Sequence, residues 1–477
     1  MDYSDINLQT SKYLRIVPTA TDFALYHTLF GGLCITDQDT VRLIECFKRP
    51  ASVQEVFAGK NYSPANIQTF FDFLLPRSLL VPPDTDEYEV IEKASAEREA
   101  GLSQGKALHI IQLIVTNNCN FHCKYCFTRS IYSYKERLAA EQDPLNRVMS
   151  PEQAQQYIEA VIRGMRTAHE EPPDPFLMIQ FFGGEPLLNM KTISSVLSHF
   201  GDGREFGVDI QYSIVTNGSL LDAEIIDLFL RHNVTILLSF DSPRGRDRVT
   251  ANGTNSNETV MHKLKLVKDS GVRVAFNSVL SRQTFDYFGT DLIDCACEYN
   301  IPEIGVILDL DPAFYTENTP DAISEKLLEF SRYGKKCGVV VTGYWHQIFQ
   351  HMLGFRQSER TGFKTCSALG CQFSIEPNGA VFACKGSSGY FGHVLDMPTL
   401  FASENWRKYS MRAFRNSPVC ENCDIENFCS GFCLGPLEKK YHDICVMEKE
   451  TCAVYKKLIQ GLIHDIRKYE IDTLCML

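Results

Sequence analysis

Apolar residues recur with two different periods along this chain, and the changes of period mark out its parts. Six short apolar runs alternate with amphipathic stretches in its middle. The runs Ile110–Val115, Leu177–Phe182, Ile210–Val215, Val234–Phe240, Val272–Val279 and Glu303–Leu308 predict strands. Between them, 151–165, 191–200, 221–231, 257–269 and 286–299 carry helical periodicity, the first opened by Ser150 and Pro151. Six β/α units predict an α/β fold with a parallel sheet, closed or partly closed. Its chemistry belongs at the strands' C-terminal ends.

Residues 1–91 follow another pattern, that of a small α+β unit. Ala24 to Ile35 predicts two short strands around a Gly31-Gly32 turn. Asp37 can cap a helix carrying Val41, Leu43, Ile44 and Phe47, and Ser52 with Glu55 makes a capping box before Val56 and Phe57. Ser63-Pro64 opens a third helix presenting Ile67, Phe70, Phe71 and Leu74. Leu79–Val81, a Pro-Pro-Asp turn and Tyr88–Ile91 then predict a hairpin wing, so the whole is winged-helix-like. Residues 92–107 are charged, contain Gly and lack an apolar period, which predicts a linker. The barrel occupies 108–315 and a helical connection 316–359. From 360 to 477 the pattern breaks into Cys, Gly and turn residues.

The composition, 44% hydrophobic and 22% charged, is that of a globular protein, and the length of 477 residues allows about three domains. With 47 Lys and Arg against 59 Asp and Glu, the formal charge is −12. That argues against nucleic acid as the main partner, and the helices of 1–91 carry few basic residues. No secretory signal opens the chain, and the uncharged stretch Cys337–Phe355 is too rich in His, Gln and Gly to span a membrane. A cytoplasmic location is expected, where thiols stay reduced. There, 18 cysteines read as metal ligands rather than disulfides.

Cys119, Cys123 and Cys126 follow the first strand in a C-x3-C-x2-C spacing. Three thiolates on one loop can hold three irons of a 4Fe–4S cube and leave the fourth iron open to a ligand. Zinc with a distant fourth ligand such as His122 is the alternative, although zinc usually takes paired cysteines. The next strands end in Gly183-Gly184-Glu185-Pro186, Thr216-Asn217-Gly218 and Ser239-Phe240-Asp241. Glycines admit close backbone approach, and a carboxylate can accept hydrogen bonds from an ammonium. Each ending alone could be a turn or cap; on four successive strands they form a candidate site.

This ordered set resembles the radical S-adenosylmethionine (SAM) enzymes over roughly residues 108–315. The resemblance implies a partial (β/α)6 TIM-type barrel. It implies that Cys119, Cys123 and Cys126 bind a cluster whose fourth iron is chelated by SAM. Tyr125 would lie close to the adenine, and Gly183, Gly184 and Glu185 would meet the methionine ammonium. Thr216, Asn217, Ser239 and Asp241 would line the ribose and carboxylate side. Asn277 stands where many relatives carry an arginine, which puts the carboxylate contact in doubt.

The C-terminal region holds Cys366, Cys371, Cys384, Cys420, Cys423, Cys429, Cys433, Cys445 and Cys452, and a Pro377-Asn378-Gly379 turn would bring Cys384 near Cys366. Taken alone, this ladder leaves zinc and iron–sulfur equally open. Beside the barrel it resembles the SPASM extension of radical SAM enzymes, which carries two auxiliary 4Fe–4S clusters. By that resemblance Cys366, Cys371, Cys384 and Cys433 hold the first, and Cys420, Cys423, Cys429 and Cys452 the second, with Cys445 the alternative to Cys452. Cys34, Cys46, Cys295, Cys297 and Cys337 read as small buried hydrophobes, and Cys475 has no assignment.

The assembly resembles maturases of ribosomally made peptides, whose N-terminal, PqqD-like module takes a leader peptide as an added strand. The resemblance implies SAM, three 4Fe–4S clusters, a precursor peptide and a low-potential electron donor such as flavodoxin or ferredoxin, with no nucleic-acid or membrane partner. A Cys thioether crosslink is the first expectation, and carbon–carbon or carbon–oxygen closure would use the same apparatus. Asp309 and Asp311, after the sixth strand, are candidate proton acceptors, or simply turn residues beside Pro312. Two alternatives differ in class. One is a sulfatase-maturase-like oxidase of a protein Cys or Ser, whose relatives typically lack the front module. The other is a metal-stabilised binding protein without turnover.

Overall fold

A computed structural model describes residues 6–102, 104–127, 148–168, 175–250, 252–354, 366–412, 418–466 and 473–474. Cys475 lies outside them.

The N-terminal unit contains β1 (Asn7–Thr10), β2 (Leu14–Pro18), β3 (Phe23–His27), β4 (Gly31–Thr36), β5 (Ala51–Ser52) and β6 (Leu80–Val81). Its helices are α1 (Gln38–Glu45), α2 (Val53–Phe57) and α3 (Pro64–Leu74). The caps follow from the sequence: Asp37 accepts from the Thr40 N–H, Ser63 accepts from the Asn66 N–H, and Ser52 with Glu55 closes a full capping box. Phe47, Phe57, Phe70 and Phe71 meet in the core of this unit, Phe70 and Phe71 edge to face at 5.1 Å.

Two expectations for this unit need correction. The turn between β3 and β4 is Thr28–Phe30, and Gly31 and Gly32 open β4 instead. The second wing strand is absent: Tyr88–Leu102 is one helix, α4, which runs into the segment expected as a linker, while β6 pairs with β1. Ile91, Ser95 and Leu102 are its buried positions, too sparse for periodicity to reveal it.

The six predicted barrel strands all form, as β7 (Ile110–Thr116), β8 (Phe176–Gly183), β9 (Asp209–Thr216), β10 (Thr235–Ser239), β11 (Val274–Leu280) and β12 (Glu303–Leu308). Each pairs with the next in parallel. The helices Pro151–Ala168, Met190–Phe200, Ala223–Arg231, Asn257–Val267 and Asp291–Glu298 connect them and bury their apolar faces on the sheet. Two additions enlarge the sheet. β13 (Val340–Thr342) extends it beyond β12, and β14 (Gln372–Ile375) pairs in parallel with β7. Then β15 (Ala380–Phe382) and β16 (Tyr390–His393) follow in antiparallel fashion, so the C-terminal region is built onto the barrel's first strand. The result is an α/β fold on a ten-stranded, mostly parallel sheet.

The ends of the chain also meet. β17 (Thr473–Leu474) lies parallel to β4, and Asn427 donates from its amide to the Leu29 carbonyl at 2.8 Å. Arg15 bonds Asp424 at 2.8 Å, and the Tyr88 hydroxyl donates to Glu426. Cys34 and Cys295 are buried as expected, but Cys46 and Cys297 are exposed. Among the described residues no helix is long and apolar enough to cross a membrane.

Candidate active site

The cysteine loop leaves β7 and is fixed to its neighbours by backbone and amide contacts. The Gly184 N–H donates to the Thr116 carbonyl and the Glu185 N–H to the Asn118 carbonyl, both at 2.8 Å. Gly184 has no side chain because a Cβ there would stand 2.2 Å from the Asn118 oxygen. The two glycines therefore serve the loop as well as any ligand. Asn217 donates to Asn120 at 2.9 Å, which ties the ending of β9 to the same loop. On the other side, the His122 and Lys124 N–H groups donate to the Val249 and Asp247 carbonyls.

Inside the barrel lies a cavity of about 960 Å³. Cys119, Cys123, Cys126 and Tyr125 line one end, with Gly183, Gly184, Thr216, Asn217, Ser239 and Asn277 along the strand ends. Cys366, Cys384 and Cys433 line the other end, so one continuous space connects the two cysteine regions. Asp309 also faces this space, whereas Asp311 caps Ala313 and stands 3.8 Å from Arg282 outside it.

Glu185 lies behind the cavity wall, 1% exposed. It accepts from the Thr216 hydroxyl at 2.7 Å and from the Asn217 and Leu187 N–H groups. Burial raises its carboxyl to about 7, against the pull of these donors. Asp241 is also behind the wall. It accepts from Arg248 at 2.9 Å, from the Val279 N–H and from the Tyr125 hydroxyl.

Arg248 is the main charged group at this site that sequence reasoning missed. It is buried, stacks 5.6 Å from the Tyr125 ring and places Nη1 4.0 Å from Cys123 Sγ. It therefore brings to the cysteine loop the cation that Asn277 lacks. The only signal was an arginine in the loop Pro243-Arg244-Gly245-Arg246-Asp247-Arg248, beyond Ser-Phe-Asp. Lys385 was missed too. Next to Cys384, it donates from Nζ to Asn117 at 2.6 Å and from its backbone to Gln112, linking the two cysteine regions.

Among the described residues no three His, Cys, Asp or Glu side chains close tightly on one bare metal ion. The cysteines are charge neighbours in wider sets. Burial and then Cys366 push Cys433 up to about 12. Burial does the same to Cys429, with Cys452, Cys423 and Cys420 adding to it, and burial, then Cys420 and Cys423, raises Cys452 to about 11. Half-buried thiols crowded in this way suit a cationic centre that deprotonates them, so the donor chemistry fits iron–sulfur clusters.

Residues 113–292 match the Radical SAM superfamily. Across 98% of its length the chain is 41% identical to the radical SAM cyclopropyl synthase TigE of Paramaledivibacter caminithermalis, of which it covers 98%. The chain belongs to the radical SAM superfamily.

Membership implies SAM and a 4Fe–4S cluster, and makes this chain an enzyme. Two solved structures share the fold of this radical SAM enzyme. One is anSMEcpe with bound AdoMet, at TM-score 0.58 and 20% identity over 75% of this chain and 98% of that one. The other is Streptococcus suis SuiB bound to precursor peptide SuiA, at TM-score 0.54 and 13% identity over 93% and 99%. The chain is thus a radical SAM enzyme that shares its fold with both of these structures.

Proposed function

We propose that this radical SAM enzyme closes a cyclopropane ring, through a new carbon–carbon bond, in a residue of a ribosomally made precursor peptide. The thioether expected first from the sequence gives way to ring closure, because a relative matched over 98% of this chain is named a cyclopropyl synthase. The observation that carries the reading is the single cavity running from Cys119, Cys123 and Cys126 to Cys366, Cys384 and Cys433. A substrate held there reaches both regions at once.

In this reading Cys119, Cys123 and Cys126 hold the SAM cluster. Cys366, Cys371, Cys384 and Cys433 hold one auxiliary cluster, and Cys420, Cys423, Cys429 and Cys452 the other. When bound, these groups and SAM supply a 5′-deoxyadenosyl radical to take a hydrogen atom, and an acceptor for one electron. The protein does the rest. The Gly183-Gly184 turn receives the methionine ammonium with Glu185 fixed behind it, Arg248 offers its charge to the carboxylate, and Tyr125 borders the adenine. Ring closure from two C–H bonds sheds one hydrogen atom, one proton and one electron. Asp309 faces the cavity and accepts from the Arg282 and Asp311 N–H groups, so its carboxylate is oriented to take that proton. Residues 1–91 recognise the leader, 108–315 form the barrel and 360–477 the auxiliary domain. The enzyme works in the cytoplasm with flavodoxin or ferredoxin as donor.

The test is co-expression with short peptides encoded beside this chain, followed by mass spectrometry and proton NMR of the product. Loss of two hydrogens with upfield cyclopropyl signals, retained when every peptide cysteine is replaced by serine, is the expected result. Loss of the modification with those cysteines would overturn ring closure and restore the thioether. Anaerobic reconstitution should also give about twelve irons per chain, the content of three cubanes.

A further inference from the structure

Arg412 follows the helix Glu404–Ser410 and is one of the most deeply buried side chains of the protein, at 1% exposure. Nη1 donates to the Phe432 carbonyl at 3.3 Å. Nε and Nη2 find no hydrogen-bond partner among the described residues. A buried cation with two unmade hydrogen bonds is costly, so its retention calls for a compensating group.

The surroundings say what that group is. Gly431 has φ +78°, and a Cβ there would stand 2.7 Å from Arg412 Nη2, so the bare backbone admits the guanidinium. Gly431 and Phe432 lie between Cys429 and Cys433, residues assigned above to different auxiliary clusters. The thiols whose charge bears on Arg412 are Cys366, Cys445, Cys429 and Cys433. Three of these four belong to the proposed ligand sets, two to the first cluster and one to the second. The guanidinium therefore sits where both sets converge, with two donors unspent.

We propose that Arg412 is a positioning residue for both auxiliary clusters, donating Nε–H and Nη2–H hydrogen bonds to their sulfur atoms and fixing a positive charge between them. Hydrogen bonds to sulfur and a nearby cation both favour the reduced, more negative state of a cluster. Arg412 thus makes the auxiliary pair better electron acceptors than their thiolate ligands alone would allow. The inference rests on the cluster assignment above, and the test separates the two.

The experiment uses the full chain carrying Cys119→Ala, Cys123→Ala and Cys126→Ala, so that only auxiliary clusters remain. Reconstitution should give about eight irons; a parent without them would sink the cluster assignment itself, and this proposal with it. With the iron present, midpoint potentials are read by redox titration under EPR. Arg412→Gln should lower the reduction equilibrium constant of at least one cluster tenfold or more, about 59 mV for a one-electron couple. Arg412→Lys keeps the charge without the planar fork and should move it by less than half as much. Unchanged midpoints in Arg412→Gln would overturn the proposal. Should Arg412→Gln fail to hold iron, retention by Arg412→Lys supports the need for charge, and loss in both variants overturns it in favour of packing alone.

Discussion

Gly184→Ala should disable SAM cleavage without removing a cysteine. The added methyl would stand 2.2 Å from the Asn118 oxygen, 2.5 Å from its carbonyl carbon and 2.8 Å from the Asn117 oxygen. Ordinary contact begins near 3.4 Å, so the loop that carries Cys119 must retreat by about 1 Å. Every obstructing atom is backbone, and the Glu185 N–H bond to Asn118 resists the movement. Overpacking of this kind costs about 1–3 kcal/mol of stability. Misplacing a reacting group by about 1 Å costs about 100-fold in rate. The assay is 5′-deoxyadenosine formation under a strong reductant, beside iron content and thermal unfolding. Gly289→Ala is the control, because a Cβ there meets nothing closer than 3.5 Å. A Gly184→Ala protein that binds full iron and cleaves SAM at the parent's rate would refute the steric reasoning.

Arg248→Met strips the partner from buried Asp241 and should cost about 3–5 kcal/mol in unfolding experiments. Adding Asp241→Asn should recover much of that stability without recovering SAM affinity by calorimetry; recovery of both would remove the arginine from the SAM site. Cys452→Ala should lose about four irons and Cys445→Ala none, and the reverse would exchange their assignments. Glu185 supplies a pH test. Its folded value of about 7 lies above the ordinary 4.5, so its contribution is full below about 4.5 and lost as pH rises through about 7. In SAM-free protein, Glu185→Gln should gain on the parent across that window, by up to about 3 kcal/mol from urea midpoints. A difference independent of pH would contradict the burial argument.

The barrel was legible because each strand is an apolar run bounded by turn residues, and each helix an amphipathic stretch after it. The cysteine triplet and the strand endings were legible because they follow those runs directly. β13 was not, since Val340–Thr342 is too short to carry a period. The helix Tyr88–Leu102 begins where the sequence predicts a wing strand, because its buried positions, Ile91, Ser95 and Leu102, make no apolar stripe. Arg248, Lys385 and Arg412 share another reason. Each is a cation that sequence reading assigns to the surface, and each is buried only because segments far apart in the chain close around it. Asp309 and Asp311 look alike in the sequence, and only the cavity separates them.

The pairing of β14 with β7 bears on how the chain is made. A ribosome delivers Ile110–Thr116 long before it delivers Gln372–Ile375. Throughout that interval the first barrel strand has a partner on one side at most, and its open edge is a template for wrong pairing. Vectorial synthesis thus gives the C-terminal region a second duty, to seal the barrel as well as to hold cysteines. A barrel excised at residue 315 would expose the edge of its own first strand, with the cysteine loop hanging from it.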